Sequence, residues 1–199
     1  MSPELRLEPI VLAGTYVRLE PLRADHAPAL LESCRDQEIW RWMLIEQPTT
    51  LEAMQDWLSR ALRDQDQGHA LPFIQIDPPT GGVIGTTRYM DVRPYDRSLE
   101  IGWTWLAPTF RRTAANTESK FLLLEHAFER LGAKRVQLKT DVRNEMSRKA
   151  IERIGAQFEG VLRNYQRRFD GTVRDTAMYS IIDADWPQAR EALRSRLSS

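Results

Sequence analysis

The chain has 199 residues, with 28 basic and 28 acidic side chains, so its formal net charge is zero. That neutrality hides a division: residues 1–100 hold 10 Arg/Lys against 16 Asp/Glu, whereas residues 101–199 hold 18 against 12. A neutral whole has no long-range pull on DNA or an anionic membrane, but the basic half can still hold a compact polyanion.

At 42% apolar, a chain of this length buries roughly 70% of its unfolded surface in one core, so a single domain over 1–199 is expected. Apolar runs such as 121–124 fall far short of the roughly 20 residues that cross a bilayer. The start Met1-Ser2-Pro3-Glu4-Leu5-Arg6 has no apolar signal core. The expectation is a soluble cytoplasmic protein without a membrane partner. Cys34 is the single cysteine, which excludes an internal disulfide framework, and His26, His69 and His126 are too scattered for a zinc motif. No metal is expected.

In chain order, 16–22 alternates as a strand closed by Pro21, and Asp25 is the expected cap of a first helix. Thr49 or Thr50 precedes a longer amphipathic helix with Leu51, Met54, Leu58, Ala61 and Leu62 at helical spacing, ended by Gly68. Residues 71–76 and 83–92 read as a hairpin across the turn 78–82. Residues 99–106 form a third strand, with Gly102 marking a bulge or a close backbone approach. A helix is expected over 117–131, stopped by Gly132, then a strand over 135–142 and a short helix from Asn144 to Gly155. A closing hairpin, 158–169 and 173–182 about Asp170-Gly171, leads to a last helix over 185–197. The class is α/β, with a mixed sheet flanked by helices.

Two segments carry the chemistry. Residues 105–118 run from a strand end through a small-residue loop with Arg111 and Arg112 into a helix start, where unpaired N–H groups and a partial positive charge favour an anion. The arginines add forked donors suited to phosphate oxygens. Residues 141–156 repeat the arrangement: Asn144 and Ser147 are three apart at a second strand end, and Arg148, Lys149 and Arg153 make that helix basic. Open α/β sheets bind ligands at such carboxyl ends, where neighbouring strands splay. An ordinary capped helix with solvated basic residues is the alternative for each segment taken alone.

In order and spacing, Gly14-Thr15-Tyr16-Val17-Arg18-Leu19-Glu20-Pro21-Leu22, Ile101-Gly102-Trp103, Asn116-Thr117-Glu118-Ser119-Lys120 and Asn144-x-x-Ser147-x-x-Ala150-Ile151-x-x-Ile154-Gly155-Ala156-x-x-Glu159-Gly160-x-x-Arg163 resemble the GCN5-related N-acetyltransferases (GNAT), RimJ/RimL-like branch. The closing Gly171-x-x-Arg174-Asp175-x-x-x-Tyr179-Ser180 looks like the same branch. The resemblance covers nearly the whole chain. It implies one GNAT-like domain with a splayed central sheet, acetyl-CoA as co-substrate, and a primary amine as acceptor.

Carried over by position, it implies cofactor contacts from Trp105, Leu106, Arg111, Arg112, Thr113, Ala114, Ala115, Asn116 and Thr117, and from Asn144, Arg148 and Lys149 at the second helix start. The family's phosphate loop, Gln/Arg-x-x-Gly-x-Gly/Ala, matches at Arg111, but Ala114 and Asn116 replace its glycines. Alanine tolerates a helix-type turn, whereas a glycine at positive φ is not freely replaced. Glu100 is the first choice of base. The tyrosine that many members use as acid is absent, since Ile151 stands there, and the serine of the RimL-like branch matches Ser147.

The acceptor is a small-molecule amine or a protein N-terminus. The first two helices border its pocket in the family, with Trp40, Trp42, Trp57, Trp103 and Trp105 serving either as core or as pocket wall. A non-catalytic acetyl-CoA-binding module is a second reading. A ribosome- or RNA-associated protein is a third, although nucleic acid is not the expected partner. A homodimer is left open.

Overall fold

The computed structural model describes residues 5–198. The strands are β1 (Leu12–Ala13), β2 (Arg18–Pro21), β3 (Leu71–Ile76), β4 (Val83–Arg93), β5 (Ser98–Leu106), β6 (Arg135–Asp141), β7 (Gln157–Arg167) and β8 (Val173–Ile182). The helices are α1 (Ala27–Ser33), α2 (Leu51–Asp66), α3 (Ala114–Glu125), α4 (Glu145–Arg153) and α5 (Trp186–Leu197). All eight strands share one sheet in the order β1-β2-β3-β4-β5-β6-β8-β7. Only β5 and β6 run parallel, joined by a crossover that contains α3.

Strand alternation sends the two sets of side chains to two cores. On one face, Tyr89, Leu99, Ile101, Val136 and Tyr179 pack against Leu124 of α3, Ile151 of α4 and Leu193 of α5. On the other, Ile74, Ile76 and Trp105 meet Leu30 of α1 and Met54, Trp57 and Leu58 of α2. Cys34 is buried in this second core, and burial pushes its thiol up to about 12. At that value the thiol stays protonated at neutral pH.

Two expected boundaries shift, each for a local reason. Asp25 does not cap a helix: residues 24–26 form a 3₁₀ turn in which Arg23 N–H donates to His26 Nδ1 at 3.1 Å, and α1 starts afterwards with Pro28 in its first turn. The helix expected over 117–131 begins earlier, at Ala114. Its cap is Thr113, whose Oγ1 accepts from Ala115 N–H and donates to Phe110 O.

That helix also widens into a π-helical turn over His126–Arg130. Just before it, the buried Tyr89 hydroxyl donates to Leu123 O at 2.5 Å. A side chain competing for a helix carbonyl is a recognised cause of such a bulge. The expected stops at Gly68, Gly132 and Gly155 all take positive φ.

Candidate active site

β5 and β6 pair only over Ser98–Glu100 and Arg135–Gln137. Beyond those residues they part, and the facing edges of 101–106 and 138–141 have no strand partner across the gap. The gap opens into a cleft of about 780 Å³.

The splay has a visible cause. Thr86 pairs with Trp105 and Arg88 with Gly102, so Trp103 and Thr104 together oppose Thr87 alone. This extra residue is a β-bulge, which bends its strand, and Trp103 takes φ +49° to make it. Gly102 serves the second expectation, close approach, because a side chain there would meet Met90 Sδ at 2.8 Å and Glu100 Oε1 at 2.9 Å.

Lys120 of α3 pins the bulge from the other face. Its Nζ lies 2.5 Å from Thr104 Oγ1 and 3.4 Å from Thr87 Oγ1, and the two threonine hydroxyls are 2.8 Å apart. No carboxylate among the described residues pairs with this amine, and burial pulls its pKa down to about 7. Sequence reasoning missed Lys120. The available signal was its spacing of four from Asn116, which puts both on one helix face; both line the cleft.

Glu100 is buried at the point where the strands part. Its Oε2 accepts from Lys139 Nζ at 2.8 Å and from Gln137 Nε2 at 3.0 Å. Ser147 lies across the cleft in the first turn of α4, whose cap Asn144 accepts Ser147 N–H at 3.1 Å. The Ser147 hydroxyl has no hydrogen-bond partner among the described residues.

At the other end, Trp105, Leu106, Arg111, Arg112, Thr113 and Asn116 line the cleft, as do Asn144 and Lys149. Ala114, Ala115 and Thr117 belong to the first turn of α3 but do not line it. Arg148 turns away: its Nε donates to Tyr179 Oη at 3.0 Å and its Nη1 to Val142 O at 3.3 Å. The glycine question resolves locally. Arg112 carries the loop's positive φ, +61°, while Ala114 and Asn116 lie inside the right-handed helix and need no glycine. Arg111 is held by Asp36 at 3.2 Å.

The turn between β7 and β8 is tied to the segment before α2, whose Trp42, Met43 and Leu44 line the cleft. Arg168 hydrogen-bonds Asp141 and, at 3.0 Å, Arg41 O, and Phe169 N–H donates to Leu44 O at 3.0 Å. Burial by itself raises the Asp141 pKa, but hydrogen bonds from Arg143 and Arg168 outweigh it and hold the carboxyl at about 2. The tryptophans divide: Trp40 and Trp57 are buried in the second core, Trp42 and Trp103 line the cleft, and Trp105 does both. No cluster of three or more His, Cys, Asp or Glu with metal-holding geometry occurs among the described residues, and no helix among them is long and apolar enough to cross a membrane.

A splayed parallel strand pair, a bulge at its fork and a helix start at its open end define a recognisable arrangement, and the family model described as an acetyltransferase (GNAT) domain matches residues 17–157. The chain belongs to the GNAT acetyltransferases. A GCN5-related N-acetyltransferase from Brucella melitensis superposes with a TM-score of 0.92 at 32% identity, covering 99% of this chain and 89% of that one. YdaF of Bacillus subtilis (strain 168), whose name proposes a ribosomal N-acetyltransferase, is 28% identical over 171 residues, 84% of this chain and 90% of YdaF. Mycobacterium smegmatis RimJ, solved with CoA-disulfide, shares the fold with a TM-score of 0.80 at 23% identity, over 97% of this chain and 92% of RimJ. This GNAT chain is an acetyltransferase, and it shares its fold with RimJ and RimL.

Proposed function

We propose that this GNAT enzyme moves the acetyl group of acetyl-CoA to a primary amine, with a protein N-terminal α-amine as the leading acceptor, by direct attack in a ternary complex. The observation that carries the reading is the fork itself: one cleft holds an anion-favouring helix start at one end and a buried carboxylate beside a bulge at the other. The donor brings an activated acetyl thioester.

Arg111, Arg112 and the first turn of α3 hold the pyrophosphate, with the Thr113 cap leaving further N–H groups free. The unpaired edge of β5 from Trp103 to Leu106 orients the pantetheine arm and offers N–H groups to the carbonyl oxygen as charge builds there. Asn144 and Lys149 border the same arm from α4. The fit of these residues to a phosphorylated, extended ligand is the reason a metal is not invoked for its binding.

Glu100 attracts the cationic acceptor and takes its proton, directly or through a water molecule. An α-amine has a pKa of about 8 against about 10.4 for a lysine side chain, so the α-amine asks less of that base. As the nitrogen–carbon bond forms and the carbon–sulfur bond breaks, Ser147 gives its hydroxyl proton to the departing thiolate and regains one from solvent. Holding the two reactants in register supplies much of the acceleration.

Incubation with acetyl-CoA and a panel of N-terminal peptides, amino acids and polyamines, read by thiol release and by product mass, tests this. Acetylated amine is the expected product. Tight acetyl-CoA binding without transfer to any amine would refute it.

A further inference from the structure

Beside the cleft lies a second cavity of about 400 Å³, walled in part by Trp57 and Trp103 and containing Arg88. Arg88 is 5% exposed. Its guanidinium carbon stands 5.4 Å from the Trp57 ring centroid and 4.9 Å from that of Trp103. Beside these two rings the side chain donates no hydrogen bond among the described residues, and its Nε is buried without a partner.

The nearest acid, Asp64, is 3.8 Å away, beyond hydrogen-bond range, and half exposed to water. Burial draws the arginine down to about 10, still charged at neutral pH. A buried cation with unused donors costs stability. Ring contacts offset a part of that cost and satisfy none of the N–H groups.

The strand register places this cation relative to the proposed base. Arg88 pairs with Gly102 and Met90 with Glu100, so Arg88 and Glu100 are diagonal neighbours on one face of the sheet, roughly 7–8 Å apart at the backbone. A Cβ on Gly102 would lie 2.8 Å from Met90 Sδ and 2.9 Å from Glu100 Oε1, so between Arg88 and Glu100 the sheet is covered only by flexible side-chain tips. Met90 and Trp103 line both cavities.

We propose that the acceptor carries a carboxylate within about one residue of its reacting amine, and that Arg88 receives this carboxylate while the amine faces Glu100. The inference rests on acetyl transfer at the adjacent cleft. A carboxylate fits because it pairs with two guanidinium N–H groups at once, and Arg88 lines the cavity with its N–H groups unused. The carboxylate belongs either to a free amino acid or to an acidic residue at the start of a peptide.

Matched acceptors separate the sources: aspartate and glutamate against their α-amides, and peptides beginning Asp or Glu against those beginning Asn or Gln. Each is assayed with wild type, Arg88→Met and Arg88→Lys, with acetyl-CoA binding and thermal melting as controls for folding. The wild type is expected to favour the carboxylate member of one pair by about 10- to 100-fold in kcat/KM, mostly through KM. Arg88→Met is expected to bring that ratio near one, and Arg88→Lys to leave it intermediate. Should Arg88→Met fail to fold, the wild-type and Arg88→Lys ratios decide.

Equal use of both members by wild type, or an undiminished preference in a folded Arg88→Met, overturns the assignment while leaving acetyl transfer standing. Failure to acetylate any amine with acetyl-CoA bound overturns both.

Discussion

Lys139 Nζ sits 2.8 Å from Glu100 Oε2 in the fork of the sheet, so the residue proposed to accept the amine proton is oriented by a cation on the neighbouring strand. Gln137 fixes the same oxygen, which leaves Oε1 turned toward Gly102. Glu100→Gln keeps the size and loses the charge. Its kcat is expected to fall by about 10²- to 10⁴-fold with little change in KM for acetyl-CoA. Lys139→Met releases the carboxylate without removing it, so its loss should be smaller. Steady-state kinetics of both variants checks the ordering.

Lys120 makes stability depend on pH in a defined direction. Its folded pKa is about 7 and its ordinary value 10.5, so between these the unfolded chain binds more protons than the native one. Stability therefore gains as pH rises through this window, by up to about 1.4 kcal/mol per unit for one proton, and the desolvation cost is fully present below about 7. Lys120→Met is expected to abolish that slope and to melt above wild type at pH 6, with the advantage shrinking by pH 9. Urea denaturation at several pH values reads both.

Glu118 binds the amino-terminal segment to α3. Its carboxylate accepts the N–H groups of Thr15 at 2.9 Å, Tyr16 at 2.5 Å and Val17 at 2.8 Å, and a Cβ on Gly14 would lie 2.4 Å from it. Glu118→Ala leaves three donors without their acceptor and is expected to cost about 3 kcal/mol. Gly14→Ala should be destabilised as well, because the carboxylate cannot retreat without giving up those bonds. Chemical denaturation of the two variants and their double mutant should show non-additive losses.

Arg111, proposed to hold phosphate, pairs with Asp36 at 3.2 Å. An acid beside the site pulls that guanidinium aside and repels the ligand, so Asp36→Asn is expected to tighten acetyl-CoA several-fold while preserving its cap on Glu38 N–H. Arg111→Ala, Arg112→Ala and above all the double variant should weaken binding, with a reduced salt dependence. Calorimetric titration at two ionic strengths decides.

Most strands and helices were legible because their signals are local: alternation in β3 to β6, glycine stops after α2 and α4, and Asn144 as a cap. The two phosphate-side motifs were legible for the same reason, as strand ends followed by capped helices. What escaped depends on contacts far apart in sequence. The π turn at His126 lies next to Leu123 O, which accepts from Tyr89 on another element. Lys120 and Arg88 looked like ordinary polar positions until the bulge in β5 brought threonines to one and tryptophans to the other.

Arg148 follows the opposite course, because helix periodicity places it next to Ser147 in sequence and on another side in space. Of the basic half, Arg111 and Arg112 line the cleft at the start of α3, where the phosphates are proposed to bind. Asp36, paired with Arg111, and Arg88, in the second cavity, both come from the acidic half and complicate a simple division by charge.

The central claim is that this cleft transfers an acetyl group to an amine with Glu100 as base. Its most direct test is the mass of acceptor amines after incubation with acetyl-CoA and either wild type or Glu100→Gln, alongside the thiol released. The account expects one acetyl group per acceptor, matched by free thiol, with wild type and a large loss with the variant. Equal yields from both proteins would contradict it.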